Sequence, residues 1–146
     1  MGKRKRVFGT TQESIKAEET KLNRTLPPSF VAWLLQNNGH CLDDVAIFPV
    51  KDDRDIKSTW ASLYHHYEKN WKAWLENFED DDLTFDHLLP FAEFGTGDYY
   101  CFDYNQISSE NEPKVVLWSH ETAETEFRAD TFDEFVQKIN NGDIDD

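Results

Sequence analysis

Residues 87–104 decide the fold, and they read His-Leu-Leu-Pro-Phe-Ala-Glu-Phe-Gly-Thr-Gly-Asp-Tyr-Tyr-Cys-Phe-Asp-Tyr. Two apolar, aromatic runs flank the polar segment Gly95-Thr96-Gly97-Asp98. Aromatic residues suit the pleated, half-buried surface of a strand, and glycine adopts the backbone angles that a tight connection needs. The pattern predicts a β-hairpin at the centre of a sheet, with strands near 88–94 and 98–103. Alternation divides the second strand between two faces, with Tyr100, Phe102 and Tyr104 on one and Tyr99, Cys101 and Asp103 on the other.

Helical and extended patterns lie on both sides of this hairpin. Capping residues, prolines and apolar spacing predict helices over 11–23, 28–37, 57–79 and 131–140. Short apolar runs predict strands over 45–48, 114–118 and 124–128, and the alternating polarity of the last indicates an edge strand. This order of elements is typical of an α+β domain with a mainly antiparallel sheet.

The longest helical pattern, over 57–79, is aromatic. Its large side chains recur at steps of three and four and are expected to pack in the core: Trp60, Leu63, Tyr64, Tyr67, Trp71, Trp74, Leu75 and Phe78. His65 and His66 lie beside this stripe without the spacing of metal ligands. Asp80, Asp81 and Asp82 end the pattern, because an acidic run opposes the dipole at the C-terminus of a helix.

Charge is strongly acidic and unevenly distributed. The chain of 146 residues has a net charge of −14. Residues 1–66 hold ten Lys and Arg against eight Asp and Glu, whereas residues 67–146 hold five against twenty-one. Such a surface repels nucleic acid and anionic membranes and attracts basic partners. Solubility alone is the alternative explanation.

The length predicts one domain, over residues 11–141, with a basic flexible arm at 1–10 and an acidic tail at 142–146. No apolar run is long enough to span a membrane, and no apolar stretch follows the basic N-terminal residues. Cys41 and Cys101 are too few and too far apart to suggest a disulfide framework, so a reducing, cytoplasmic location is expected.

Motifs for catalysis or cofactor binding are not found. Neither a paired Cys/His zinc pattern nor a nucleophile elbow occurs, and Gly95-Thr96-Gly97 is too short for a phosphate-binding loop. We therefore predict no metal, no cofactor and no enzymatic activity. A hydrolase that uses Cys101 or His120 with a carboxylate stays open as an alternative, because a pairing in space leaves no local signature.

The order and spacing of several motifs resemble the SUKH superfamily, in the branch named after fungal cell-wall assembly regulators linked to killer-toxin resistance. The resemblance covers residues 13–140, with Asn23 and His40 in place of two usual glycines. The matching positions are Glu19, Leu22, Leu26-Pro27, Phe30, Leu34 and Asn38-Gly39, then Leu89-Pro90-Phe91, Gly97-Asp98 and Phe102-Asp103, then Val115–Trp118 with Glu121, and finally Thr131-Phe132-Asp133-Glu134-Phe135.

This resemblance implies helices packed against one side of a mostly antiparallel sheet. It also implies an immunity protein, since single-domain bacterial members resemble proteins that bind and neutralise a toxin, often a nuclease. A regulatory protein-binding module, as in the fungal relatives, is the alternative. We expect a basic toxin as the partner, with no nucleic acid or membrane bound, and the sequence leaves the oligomeric state open. The predicted partner-binding residues are Asp98, Tyr99, Trp118, His120 and Glu121, with Asp80, Asp81 and Asp82 as a charged rim.

Overall fold

The structure is a computed structural model that describes residues 9–40, 42, 45–78, 85–94 and 97–142. The strands are β1 (Ala46–Ile47), β2 (Leu88–Phe94), β3 (Asp98–Ile107), β4 (Pro113–Trp118) and β5 (Thr125–Ala129). The α-helices are α1 (Gln12–Leu22), α2 (Pro28–Asn37), α3 (Ile56–Thr59), α4 (Leu63–His65), α5 (Lys72–Leu75) and α6 (Phe132–Asn140). A π-helical turn (His66–Trp71) joins α4 to α5, and a 3₁₀ turn (Glu76–Phe78) follows α5. Residues 63–78 together are called the composite helix.

The predicted hairpin lies at the centre of the sheet. The strand order is β1-β2-β3-β4-β5, and every neighbouring pair is antiparallel. Tyr99 pairs with Glu93 on one side and with Trp118 on the other. The α+β class with an antiparallel sheet is confirmed, and β5 occupies an edge, as its polarity predicts.

Over Tyr99–Asp103 both faces of β3 are buried, because large aromatic side chains occur on both. On one face Tyr100 contacts Phe135 of α6, with ring centroids 4.7 Å apart. On this same face Phe102 contacts Phe30 of α2 at 5.2 Å. The prediction that helices pack against one side of the sheet therefore holds for α2 and α6. The composite helix adds packing on the second face, where Trp71 contacts Trp118 with centroids 6.0 Å apart.

Local sequence signals set the helix ends where they were predicted. Thr11 caps α1, and its hydroxyl accepts a hydrogen bond from the Ser14 N–H. Asn23 ends α1 in the left-handed conformation at φ 55°, which asparagine adopts more readily than most residues because its short polar side chain can hydrogen-bond locally. Thr131 caps α6 by accepting from the Glu134 N–H.

The predicted continuous helix over 57–79 is wrong in its first part. Helix α3 ends at Thr59, and the composite helix begins at Leu63 after an extended Ser62, whose hydroxyl accepts from the His65 N–H. The Leu63 N–H donates to Pro49 O at 2.7 Å, a tertiary bond that replaces a helical one. Trp60 is consequently 58% exposed instead of lying in the core. The rest of the stripe does pack in or against the core.

Gly9 and Thr10, the last two residues of the expected arm, are among the described residues. Both are buried, and the Thr10 hydroxyl donates to Asp52 Oδ2 at 2.7 Å. The packed chain thus includes the last two residues of the expected arm. Residues 1–8 and 143–146, which carry the rest of the arm and most of the acidic tail, lie outside the described residues.

Candidate functional site

The fold brings two of the predicted site residues into direct contact. Asp98 is the first residue of β3, and His120 lies two residues after the end of β4. Because β3 and β4 are antiparallel, these positions meet at one end of the sheet. Asp98 Oδ1 lies 2.7 Å from His120 Nδ1 and also accepts from the His120 backbone N–H at 3.0 Å. The two side chains are 31% and 28% exposed, so they are accessible but fixed.

The loop between β4 and β5 holds the acidic residues next to this pair. The Ala123 N–H donates to Ser119 O at 2.8 Å, and Ala123 adopts φ 61°. The hydroxyls of Ser119 and Thr122 accept from the N–H groups of Glu121 and Glu124. These short-range bonds hold the backbone of the loop and leave both glutamate side chains exposed.

Trp74 of the composite helix completes the site, and the sequence did not single it out as a site residue. Its ring centroid lies 5.0 Å from that of His120. Gly97 fits beside both rings, and a Cβ there would lie 2.7 Å from Trp74 Cζ2 at φ +101°. Only the absence of a side chain at this turn allows the helix to approach so closely. The available sequence signal was the step of three from Trp71 to Trp74, which predicts a core residue.

Tyr99 and Trp118, which were predicted as exposed partner-binding residues, are buried in this structure. They are 2% and 0% exposed, and their ring centroids lie 6.2 Å apart. Burial, with a smaller contribution from Glu93, raises the pKa of Tyr99 to about 12, and Trp74 hydrogen-bonds its side chain. The expectation that these aromatics are exposed is corrected, because the composite helix covers the face that they share.

Four carboxylates form what we call the acidic end: Glu93, Asp98, Glu121 and Glu124. They lie where β2 and β4 end and where β3 and β5 begin. Within the described part of the chain, the one contact between a basic side chain and this group is that of the His120 imidazole with Asp98. The predicted rim at Asp80, Asp81 and Asp82 lies outside the described residues. The acidic end is therefore a surface of largely uncompensated negative charge.

The structure removes Cys101 as a candidate nucleophile. The thiol is fully buried and contacts Tyr99 O, and burial raises its pKa well above the usual value. A buried thiol with a raised pKa is inert because the thiolate is the reactive form. His120 keeps a carboxylate partner in Asp98, and no described cysteine or serine side chain hydrogen-bonds its ring.

Neither a metal site nor a membrane-spanning helix is found among the described residues. No group of three or more His, Cys, Asp and Glu side chains there is arranged to hold a metal ion. None of the helices in that part of the chain combines the length and the hydropathy that crossing a membrane requires.

The fold and the site define a small α+β domain that presents an acidic, loop-bordered end of its sheet. The sequence profile of the SMI1 / KNR4 family (SUKH-1) matches residues 9–138, and the chain belongs to this family. Family membership fits an immunity-type or a regulatory role, and the family is generally non-enzymatic.

Among solved structures, the chain is similar to the crystal structure of a protein from Pseudomonas syringae pv. tomato, with a TM-score of 0.57 and 17% identity. The similarity covers 92% of this chain and 86% of that one, and at this identity it shows the fold alone. No curated protein matches the sequence significantly.

Proposed function

We propose that this protein is a non-catalytic immunity protein that binds a basic toxin domain through the acidic end. The observation that carries the proposal is the convergence of Glu93, Asp98, Glu121 and Glu124, with the His120 imidazole as the one basic side chain that contacts them among the described residues. Complementary charge of this kind accelerates the association of two proteins and orients them. A nuclease fits such a surface best, because its own active surface must be basic to hold phosphates.

The preformed geometry of the acidic end favours tight binding. The loop that carries Glu121 and Glu124 is held by its own hydrogen bonds, and Asp98 is fixed by two bonds from His120. Side chains that are ordered before binding lose less conformational entropy on association. A cytoplasmic location is part of the proposal, since an immunity protein acts where the toxin reaches its substrate.

The test captures partners from the source organism with three immobilised proteins: the wild type, Glu121→Gln/Glu124→Gln, and the matched control Glu13→Gln/Glu110→Gln. Both variants lose two exposed carboxylates, but the control pair lies away from the acidic end. A protein that the wild type and the control retain, and that the first variant loses, is then expressed alone and together with this chain. We expect it to arrest bacterial growth alone and to be neutralised by co-expression.

Two results would redirect the proposal. A retained partner that is harmless and belongs to the cell's own physiology would favour the regulatory alternative. Equal retention by both variants would place the binding surface elsewhere on the domain.

A further inference from the structure

The outer edge of β5 is an unpaired strand with a large apolar residue at its midpoint. Strand β5 ends the sheet, and no other described strand pairs with its outer side. Phe127 is the middle residue of Thr125–Ala129 and is 52% exposed. An open edge and an exposed aromatic side chain are both features that proteins use to pair with another strand.

The backbone of Phe127 points toward this open edge. The Ser119 N–H donates to Glu124 O at 3.0 Å, which starts the ladder between β4 and β5. From there to the pair of Val116 with Phe127 the register is regular, so alternation turns the N–H and C=O of Phe127 away from β4; a register shift follows between Phe127 and Ala129. Arg128 Nη1 donates to Phe127 O at 3.1 Å, so in the single chain this carbonyl is hydrogen-bonded by a side chain of the same strand.

The sequence of β5 is complementary to itself. Glu126 and Arg128 flank Phe127, and they lie on one face because Arg128 Nη2 contacts Glu126 Oε2 at 3.2 Å. When two copies of β5 pair antiparallel about Phe127, Glu126 of each copy faces Arg128 of the other. Such mutual pairing is what a two-fold symmetric interface requires.

The charges around this edge are balanced, in contrast to the net charge of −14. Lys114 lies 3.8 Å from Asp130, and Lys138 lies 3.1 Å from Glu134. The ammonium groups of both lysines lie 5.5 Å from the centre of the Phe127 ring. When two copies meet here, Glu124 of one copy faces Asp130 of the other, and Lys114 compensates that aspartate.

We propose that two copies of this chain form a symmetric dimer by antiparallel pairing of their β5 strands about Phe127. On pairing, Phe127 O exchanges the bond from Arg128 for a backbone N–H of the second copy. Arg128 then turns to Glu126 of the second copy, and its Nε, which is buried without a partner among the described residues, gains access to a carboxylate. Of the acidic end, only Glu124 borders this interface, where it faces Asp130 of the second copy, and the dimer does not depend on the proposed function.

The test is sedimentation equilibrium of the full chain at several concentrations and at ionic strengths from about 0.05 to 0.5 M. We expect the wild type to approach twice the mass of one chain, more completely at high salt, because salt screens the repulsion between two acidic molecules. Glu126→Arg places two arginines opposite each other and should weaken the dimer by about tenfold or more. This change also lowers the overall negative charge, which by itself would favour association.

Three further variants define the pairing. The double swap Glu126→Arg/Arg128→Glu restores opposite charges and should restore the dimer. Glu110→Arg makes the same charge change in the loop between β3 and β4 and should leave the dimer intact. Phe127→Glu, at an exposed position, should give single chains, with circular dichroism as the check that each variant is folded.

A wild-type protein that sediments as a single chain at every salt concentration would overturn the proposal. So would a Glu126→Arg variant that dimerises as well as the wild type, or a folded double swap that fails to recover.

Discussion

Asp98 and His120 stand 22 residues apart in the sequence and share a 2.7 Å contact that closes one end of the sheet. The same carboxylate oxygen accepts from the His120 backbone, so one side chain fixes both the loop and the imidazole. Asp98→Ala should lower the free energy of unfolding by about 1–2 kcal/mol, because both bonds to a charged acceptor are lost at a partly exposed position. Urea denaturation measures this loss, and Asp98→Asn, which keeps one oxygen acceptor, should lose less. Equal stability of wild type and Asp98→Ala would show that the contact does not hold the loop.

Gly97 should not tolerate a side chain. Gly97→Ala forces a Cβ to within 2.7 Å of Trp74 Cζ2 at φ +101°, so we expect a loss of about 2–4 kcal/mol from clash and backbone strain together. Gly39→Ala is the matched control, since its φ is +88° but no atom lies within 4 Å of the added Cβ. Thermal unfolding should therefore show a clearly larger decrease for Gly97→Ala. Similar decreases for both would mean that the helix does not press on this turn.

Glu112 caps a helix that lacks a capping side chain of its own. Pro27 precedes α2 and offers no side-chain hydrogen bond, whereas Glu112 accepts from the Ser29 N–H at 2.8 Å and from the Ser29 hydroxyl at 2.6 Å. Glu112→Ala should cost about 1–2 kcal/mol of unfolding free energy, as the loss of a helix cap does. Glu112→Gln keeps an acceptor oxygen and should recover part of this in the same chemical denaturation experiment. No difference between Glu112→Ala and the wild type would refute the capping role.

His66 should make the protein less stable at mildly acidic pH. Burial, with a smaller effect from His65, lowers its pKa from 6.5 to about 4. Its ring stacks on that of Phe48, with ring centroids 3.8 Å apart. The Asn70 amide donates to His66 Nδ1, and this nitrogen must be unprotonated to accept the bond. The folded protein thus binds fewer protons than the unfolded chain between these two pH values. The unfolding free energy should fall by about 2 kcal/mol as pH decreases from 7 to 4, which is less than the full pKa shift implies because solvent screens the partly exposed ring.

His66→Phe tests this assignment because it keeps the stack and removes the titration. Its stability should depend less on pH than that of the wild type in the window from about 6.5 to 4. Parallel pH profiles for the two proteins would assign the acid sensitivity to other groups.

Asp52 affects stability in a lower pH range than His66. Here the charged form, the carboxylate, is the one that stabilises the fold. Arg54, and then Thr10, hydrogen-bond its carboxylate and lower its pKa from 3.8 to about 2 despite the effect of burial. The ionised form therefore stabilises the fold above about pH 4, and this contribution is lost as pH falls toward 2. Asp52→Asn should be less stable than the wild type by about 2 kcal/mol at neutral pH. The difference should shrink below pH 4 in acid-titrated denaturation, and a difference that stays constant would contradict the linkage.

The central hairpin and the helix caps could be predicted because their signals are local. Alternating aromatics mark β3, and Thr131 with Glu134 marks the start of α6. The break between Thr59 and Leu63 could not be predicted, because the helical spacing of aromatics runs straight across it. Its cause is a bond from Leu63 to Pro49, which only the folded chain brings together.

The candidate site could be predicted only in part, because some of its residues are marked by local signals and others depend on tertiary packing. Asp98 and His120 follow from strand ends that the sequence reveals. Tyr99 and Trp118 were misplaced because both faces of the sheet are aromatic, and alternation does not say which face a helix covers. Trp74 was missed because its position next to Gly97 depends on how the composite helix docks on the sheet.

The most direct test of the acidic end is the association rate constant with the captured partner, measured by stopped-flow fluorescence at ionic strengths from about 0.05 to 0.5 M. We expect the association rate constant to fall steeply as salt increases. At low salt, Glu121→Gln/Glu124→Gln should reduce this rate constant by about threefold or more. Glu13→Gln/Glu110→Gln should remain close to the wild type. A rate that ignores salt, or that both double variants reduce equally, would contradict binding through the acidic end.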